Sequence, residues 1–191
     1  MADATTHDLV LHLILYVILP LWGITGFIDW ICHRATDIEN TSGLNEALLH
    51  VLMGVQVAIP ILVGILFEMN VLVFLICLAA LAAHEVVAHY DVKSTMNIRE
   101  ISIWEVHAHN YLSTIPFYLI ALIGVRNPET VFKTFTLDWG GEFALLLRSE
   151  PVGGGAYLPW YIGFMAIICF LPYTEEVFRC LGVRLREKEG Q

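Results

Sequence analysis

The chain has 191 residues, of which 57% are hydrophobic and only 15% charged, and it carries a net charge of −9. A soluble domain carries about 25% charged residues, so the composition points to an integral membrane protein. The negative balance excludes nucleic acid as a partner, because phosphate binding needs clustered Lys and Arg. Cys32, Cys77, Cys169 and Cys180 form no CxxC pair, which excludes zinc-ribbon and thioredoxin-like motifs.

In chain order, residues 1–8 are a short polar start without a basic region, so the first apolar run is expected to be a span rather than a cleaved signal. A first span is predicted over about 9–31, with Pro20 as a source of a kink. Residues 32–43 are a polar connection, and Ser42 is the expected N-cap of a second span over about 44–67. Glu68-Met69-Asn70 leaves room only for a tight turn, so a third span over about 71–89 returns antiparallel. Asn97 followed by Glu100 has the form of a capping box ahead of a fourth span over about 104–125. Pro60 and Pro116 are expected to bend the second and fourth spans and to open space between helices. Residues 126–156 form a long outer loop in which Phe143 to Leu147 is expected on the membrane surface. A fifth span over about 157–173 precedes a charged tail, 174–191, expected to be interfacial or solvated. The predicted fold is all-α: a single transmembrane domain with four core helices and a fifth, C-terminal span.

Basic residues set the expected orientation. Arg34, Lys93, Arg99, Arg179, Arg184, Arg186 and Lys188 fall on one side, and Arg126, Lys133 and Arg148 on the other. The bias puts the N-terminus outside and the C-terminus in the cytoplasm.

Counting spans brings chemistry-bearing residues to one end of the bundle. Asp29 and His33 close the first span, Glu46 and His50 open the second, His84, Glu85, His89 and Asp91 close the third, and Glu105, His107 and His109 open the fourth. Asp29/His33, Glu46/His50, Glu85/His89 and Glu105/His109 all have the spacing acid-x-x-x-His, which sets both side chains on one helix face. At the helical period, His84 lies about 140° from His89, and His107 about 160° from His109, so these need a wide site, a second metal or irregular backbone. Asp3/His7 and Asp8/His12 share the spacing at the opposite end and are expected to be surface residues of the N-terminus. So many ionisable groups at the edge of hydrocarbon are costly and mark a functional site. Imidazole and carboxylate without thiolate suit iron, manganese or zinc. The number of ligands exceeds what one tetrahedral zinc takes and suits two six-coordinate metals, so two iron ions are expected and zinc is the second choice.

The plan of a small helical membrane protein with histidines at its cytosolic helix ends resembles the histidine-rich integral membrane di-iron class: fatty acid hydroxylases, desaturases and alkane hydroxylases. The similarity covers the plan and not the motif boxes, since no HxxHH occurs and His84…His89 and His107-Ala108-His109 have other spacings. What the resemblance implies is an oxygen-dependent hydroxylase or desaturase acting on a lipid-like substrate in the bilayer, with a separate electron donor. Three other readings stay open: a membrane zinc hydrolase with Glu85 as base, an ion or proton transporter or metal-handling protein, and a haem electron carrier.

Overall fold

The computed structural model describes residues 5–96, 98–141 and 143–189. It is an all-α bundle. Five helices are long and apolar enough to cross a membrane: α1 (Thr6–Ala35), α2 (Gly43–Leu66), α3 (Val71–Thr95), α4 (Ile103–Arg126) and α6 (Tyr157–Glu189). A short helix, α5 (Pro128–Thr136), lies in the long loop between α4 and α6. By length and composition the chain is therefore an integral membrane protein.

α1, α3 and α4 each begin at a side chain that accepts from one of their first free N–H groups. Thr5 and Asp8 form a capping box at α1. Asn70 Oδ1 accepts from the Val73 N–H at 3.0 Å and caps α3, while its Nδ2 donates to the Ala144 carbonyl at 2.7 Å. Ser102 caps α4 by accepting from the Glu105 N–H at 3.2 Å. Ser42 precedes α2 without a side-chain cap, unlike the expectation for it. The expected box at Asn97 falls on a residue outside those described.

Two helices are α-helical only in part. α1 contains a π-helical turn over Ile14–Ile18, and α6 one over Ala166–Phe170. Each ends two residues before a proline, Pro20 and Pro172. Proline has no N–H and its ring crowds the carbonyl four residues back, so the widened turn takes up a defect that a regular helix has no room for.

The helices pack so that α1 lies along α4, α2 along α3, and α6 across both α1 and α2. Gly23 sets the α1–α6 approach: a Cβ there would stand 2.8 Å from both Ile168 Cδ1 and Met165 Sδ. Polar ties hold the second half of α6 to α1. Trp30 Nε1 donates to Glu175 at 3.2 Å, and Arg34 Nη1 donates to Glu175 at 2.6 Å. The segment expected as an interfacial or solvated tail continues the helix of the fifth span and is docked on the bundle as far as Cys180, which is buried.

The long loop folds back on the α2–α3 turn. Glu68 N–H donates to the Leu146 carbonyl, Arg148 N–H to Leu66, and Val152 N–H to Ile65, at 2.8, 2.9 and 3.0 Å. Phe143, Leu145, Leu146 and Leu147 keep exposed side chains.

Candidate metal centre

At one end of the bundle five carboxylates and three imidazoles come together. Asp29 and His33 descend from α1, Glu46 and His50 from α2, Asp91 from α3, Glu105 and His109 from α4, and Glu176 from α6. All are buried except His109, whose side chain is 18% exposed. His33 Nε2 lies 3.5 Å from Asp29 Oδ2, 3.5 Å from Glu105 Oε1 and 3.9 Å from Glu46 Oε1. His50 Nε2 lies 3.4 Å from Asp91 Oδ2, and His109 Nε2 lies 3.0 Å from Asp29 Oδ1.

These contacts are close, yet several are not hydrogen bonds. His33 Nε2, both ring nitrogens of His50, His109 Nε2, Asp29 Oδ1, Asp91 Oδ1 and Glu176 Oε1 are buried without a hydrogen-bond partner. Buried polar atoms without partners are rare and costly, and here they are concentrated at one point. Atoms converging on a shared cation have this geometry. Metal–nitrogen and metal–oxygen bonds of about 2.0–2.2 Å set neighbouring ligand atoms about 3.0–3.4 Å apart. Asp29, His33, His50 and His109 each offer one such atom, all within 4.8 Å of one another, and Glu46, His50 and Asp91 form a second group that overlaps the first at His50. The residues present fit a metal.

Glu176 stands behind two of the imidazoles. His33 Nδ1 donates to its Oε2 at 3.0 Å, and His50 Nδ1 approaches its Oε1 at 3.6 Å. One carboxylate thus fixes the tautomer of His33 and orients His50, and leaves the Nε2 lone pairs of both rings facing the centre. Tyr173, one turn earlier on α6, donates to the Gly26 carbonyl at 2.9 Å and reaches Asp29 Oδ2 at 3.3 Å.

Arg99, from the loop between α3 and α4, takes the third group. Its guanidinium donates to Glu46 Oε1 at 2.7 Å and to both oxygens of Glu105. Burial opposes its charge, but the Glu105 and Glu46 carboxylates outweigh that and hold its pKa well above the ordinary arginine value. His33, Glu46 and Glu105 also lie within ligand distance of one another, so here a side-chain cation already satisfies two of them. Five buried carboxylates against one guanidinium leave four negative charges if the imidazoles are neutral, the charge of two divalent ions.

Of the residues singled out in the sequence, Asp29, His33, Glu46, His50, Asp91, Glu105 and His109 come together. His84 is buried nearer the middle of the bundle, where its Nδ1 has no partner. Glu85, His89 and His107 are not brought into the group: Glu85 is half-buried, and His89 and His107 are exposed. On α3 the inward face is defined by His84 and Asp91, seven residues apart and so nearly in line along the helix, which turns His89 away. Cys32 is buried and is not a member of these groups. Glu176, Tyr173 and Arg99 were missed. Tyr173, Glu176 and Cys180 fall at the i, i+3, i+7 spacing of one helix face, which is the signal for the first two. A lone arginine in a polar loop gave none.

The centre has an apolar lid and an apolar floor. Ile38, Ala47 and Cys180, all buried, pack with Leu44 and Val177 over its outer end. On its inner side lies a cavity of about 590 Å³ lined by all five spans, with His50, Asp91 and His109 at one end and Trp22, Ile61, Leu112 and Met165 among its apolar walls. Its rim residues Val55, Ile162 and Phe170, from α2 and α6, are exposed on the flank of the bundle.

No protein-family model, curated protein or solved structure matches the chain.

Proposed function

We propose that the chain is a membrane metalloenzyme with a His/carboxylate centre, a di-iron oxygenase that hydroxylates or desaturates a lipid-like chain. The observation that carries this reading is the junction of two unlike environments: buried carboxylates and imidazoles with unsatisfied atoms, opening directly onto an apolar cavity. Four-helix di-iron proteins use a comparable donor set, carboxylates from every helix and histidines from some, all projecting inward.

Asp29, His33, His50, His109, Glu46 and Asp91 would hold the metals, with Glu105 kept charged by Arg99 at the edge. When bound, the irons supply dioxygen activation, which the protein's own side chains have no means to perform. For hydroxylation, one C–H becomes C–OH, dioxygen is the oxidant, and two electrons and two protons convert its second oxygen to water. The electrons come from a separate donor, since no flavin, nucleotide or iron–sulfur motif occurs in the sequence. Tyr173 holds a proton within reach of Asp29 at the metal end of the cavity. The apolar walls take the chain and exclude water. In the orientation expected from the basic residues, this end of the bundle would face the cytoplasm, where a separate electron donor would reach it.

A second reading is a zinc hydrolase, favoured by the compact grouping of three imidazoles with Asp29. Elemental analysis and an optical spectrum of the protein, purified in mild detergent under low oxygen, separate the two. About two irons per chain without a Soret band support the oxygenase. One zinc per chain supports the hydrolase. A folded preparation that retains no metal overturns both.

A further inference from the structure

A second cavity, of about 420 Å³, lies toward the opposite end of the bundle. Its mouth is polar and its interior is not. His7, Glu68, Arg126, Asn127, Arg148 and Glu150 line the mouth, while Leu15, Val57, Ile61, Leu119, Ile120 and Ile123 line the depth. It shares the lining residues Ile61 and His84 with the apolar cavity below the metal centre, so only these side chains need stand between the two. His84, buried with its Nδ1 unpartnered, stands at that junction.

The charges at the mouth are not equivalent. Arg148 is committed: it pairs with Glu68 at 2.9 Å and donates to the Phe67 carbonyl at 2.8 Å. Glu150 accepts from the Gly155 N–H at 3.3 Å. Arg126 makes no ion pair among the described residues. Its Nη2 donates to His7 Nδ1 at 3.0 Å, His7 Nε2 returns a bond to the Arg126 carbonyl at 3.2 Å, and its Nε is buried without a partner.

We propose that this cavity holds the head of a long-chain carboxylate, with Arg126 binding the carboxylate and the chain running past Ile61 and His84 toward the metal centre. This rests on the oxygenase reading and names its substrate class. One guanidinium that has no ion pair among the described residues and whose Nε is unpartnered matches a two-oxygen head, whereas a phosphate would call on Arg148, which is already paired. Arg126 lies about 26 Å along α4 from His109 at a rise of 1.5 Å per residue. The carbons presented to the centre are therefore remote from the head, toward the methyl end.

The test is binding of radiolabelled oleate to the full chain in phosphatidylcholine nanodiscs, with competition by oleyl alcohol, octanoate and oleyl phosphate. Oleate is expected to bind more tightly than the neutral alcohol and than short octanoate. Arg126→Gln weakens oleate about tenfold or more, the loss expected for one charge-assisted pair, and leaves the alcohol unchanged, while Arg126→Lys restores part of the affinity. Equal binding of oleate and oleyl alcohol overturns the head site, and equal competition by octanoate overturns the long channel. Tighter binding of oleyl phosphate overturns the carboxylate assignment. If Arg126→Gln does not fold, the competition series on the unaltered protein decides alone. Metal content is measured on the same samples: oleate binding without metal would sink the oxygenase and keep this site, and metal without selective oleate binding would do the reverse.

Discussion

His33 and His50, from different helices, stack with their ring centroids 4.5 Å apart and turn their Nδ1 atoms to the same Glu176 carboxylate. Two rings so held present both Nε2 atoms on one side, where the other donors converge. Glu176→Gln keeps the size of the side chain but leaves only one acceptor oxygen for two imidazoles. Loss of such a supporting group commonly costs about 10- to 100-fold in metal affinity. A chelator-competition titration is expected to find that loss in Glu176→Gln while the helical content stays that of the unaltered protein.

The histidines divide into two classes by position. Replacing His33, His50 or His109 with Ala removes a donor from the group around Asp29 and is expected to lower bound metal sharply. Replacing His89 or His107, both exposed, is expected to leave it unchanged. Metal content of the five variants after gel filtration checks the division; retention in His50→Ala, or loss in His89→Ala, contradicts the centre described above.

Arg99 joins a loop to two buried carboxylates. Arg99→Met would leave Glu46 and Glu105 uncompensated, and breaking a buried ion pair from one side costs about 3–5 kcal/mol. The expected result is a lowered unfolding midpoint in detergent. Arg99→Lys is expected to recover only part of it, because an ammonium has no planar fork to span two carboxylates.

Gly23 fixes how closely α1 and α6 approach. Gly23→Ala presses on Ile168 and Met165, whose side-chain ends are flexible, and about 1 kcal/mol is the expected loss. Gly23→Val adds branches that those ends have no room to avoid. Its cost is expected near about 3 kcal/mol, with weaker metal retention as Glu176 is carried away from His33. Thermal unfolding of the two variants measures the difference.

Much of this site was legible because membrane helices obey simple counting. Antiparallel spans put alternate loops at the same end, and that alone brought Asp29, His33, Glu46, His50, Asp91, Glu105 and His109 together. The acid-x-x-x-His spacing held on α1, α2 and α4, where both members of each pair point inward. It misled on α3, where His84, Glu85, His89 and Asp91 are spread around the helix, so the acid-x-x-x-His pair is not the face that is buried. There the seven-residue spacing of His84 and Asp91 marks the inward face, not Glu85 and His89. Glu176 was hidden by its charged neighbours. Glu175, Arg179 and Arg184 made the segment look solvated, whereas Glu175 and Arg179 are spent on holding α6 to the loop and to α1. The pairing of Arg99 with Glu46 joins residues far apart in sequence, which no local pattern encodes.

The lid of Ile38, Ala47 and Cys180 has a kinetic consequence. With oily packing on its outer end and an oily chamber on its inner side, the centre exchanges matter with the bilayer more readily than with water. Membrane-permeant phenanthroline is therefore expected to strip the metal faster than charged EDTA at equal chelating strength, and detergents that fill the chamber should slow the former while leaving the latter unaffected.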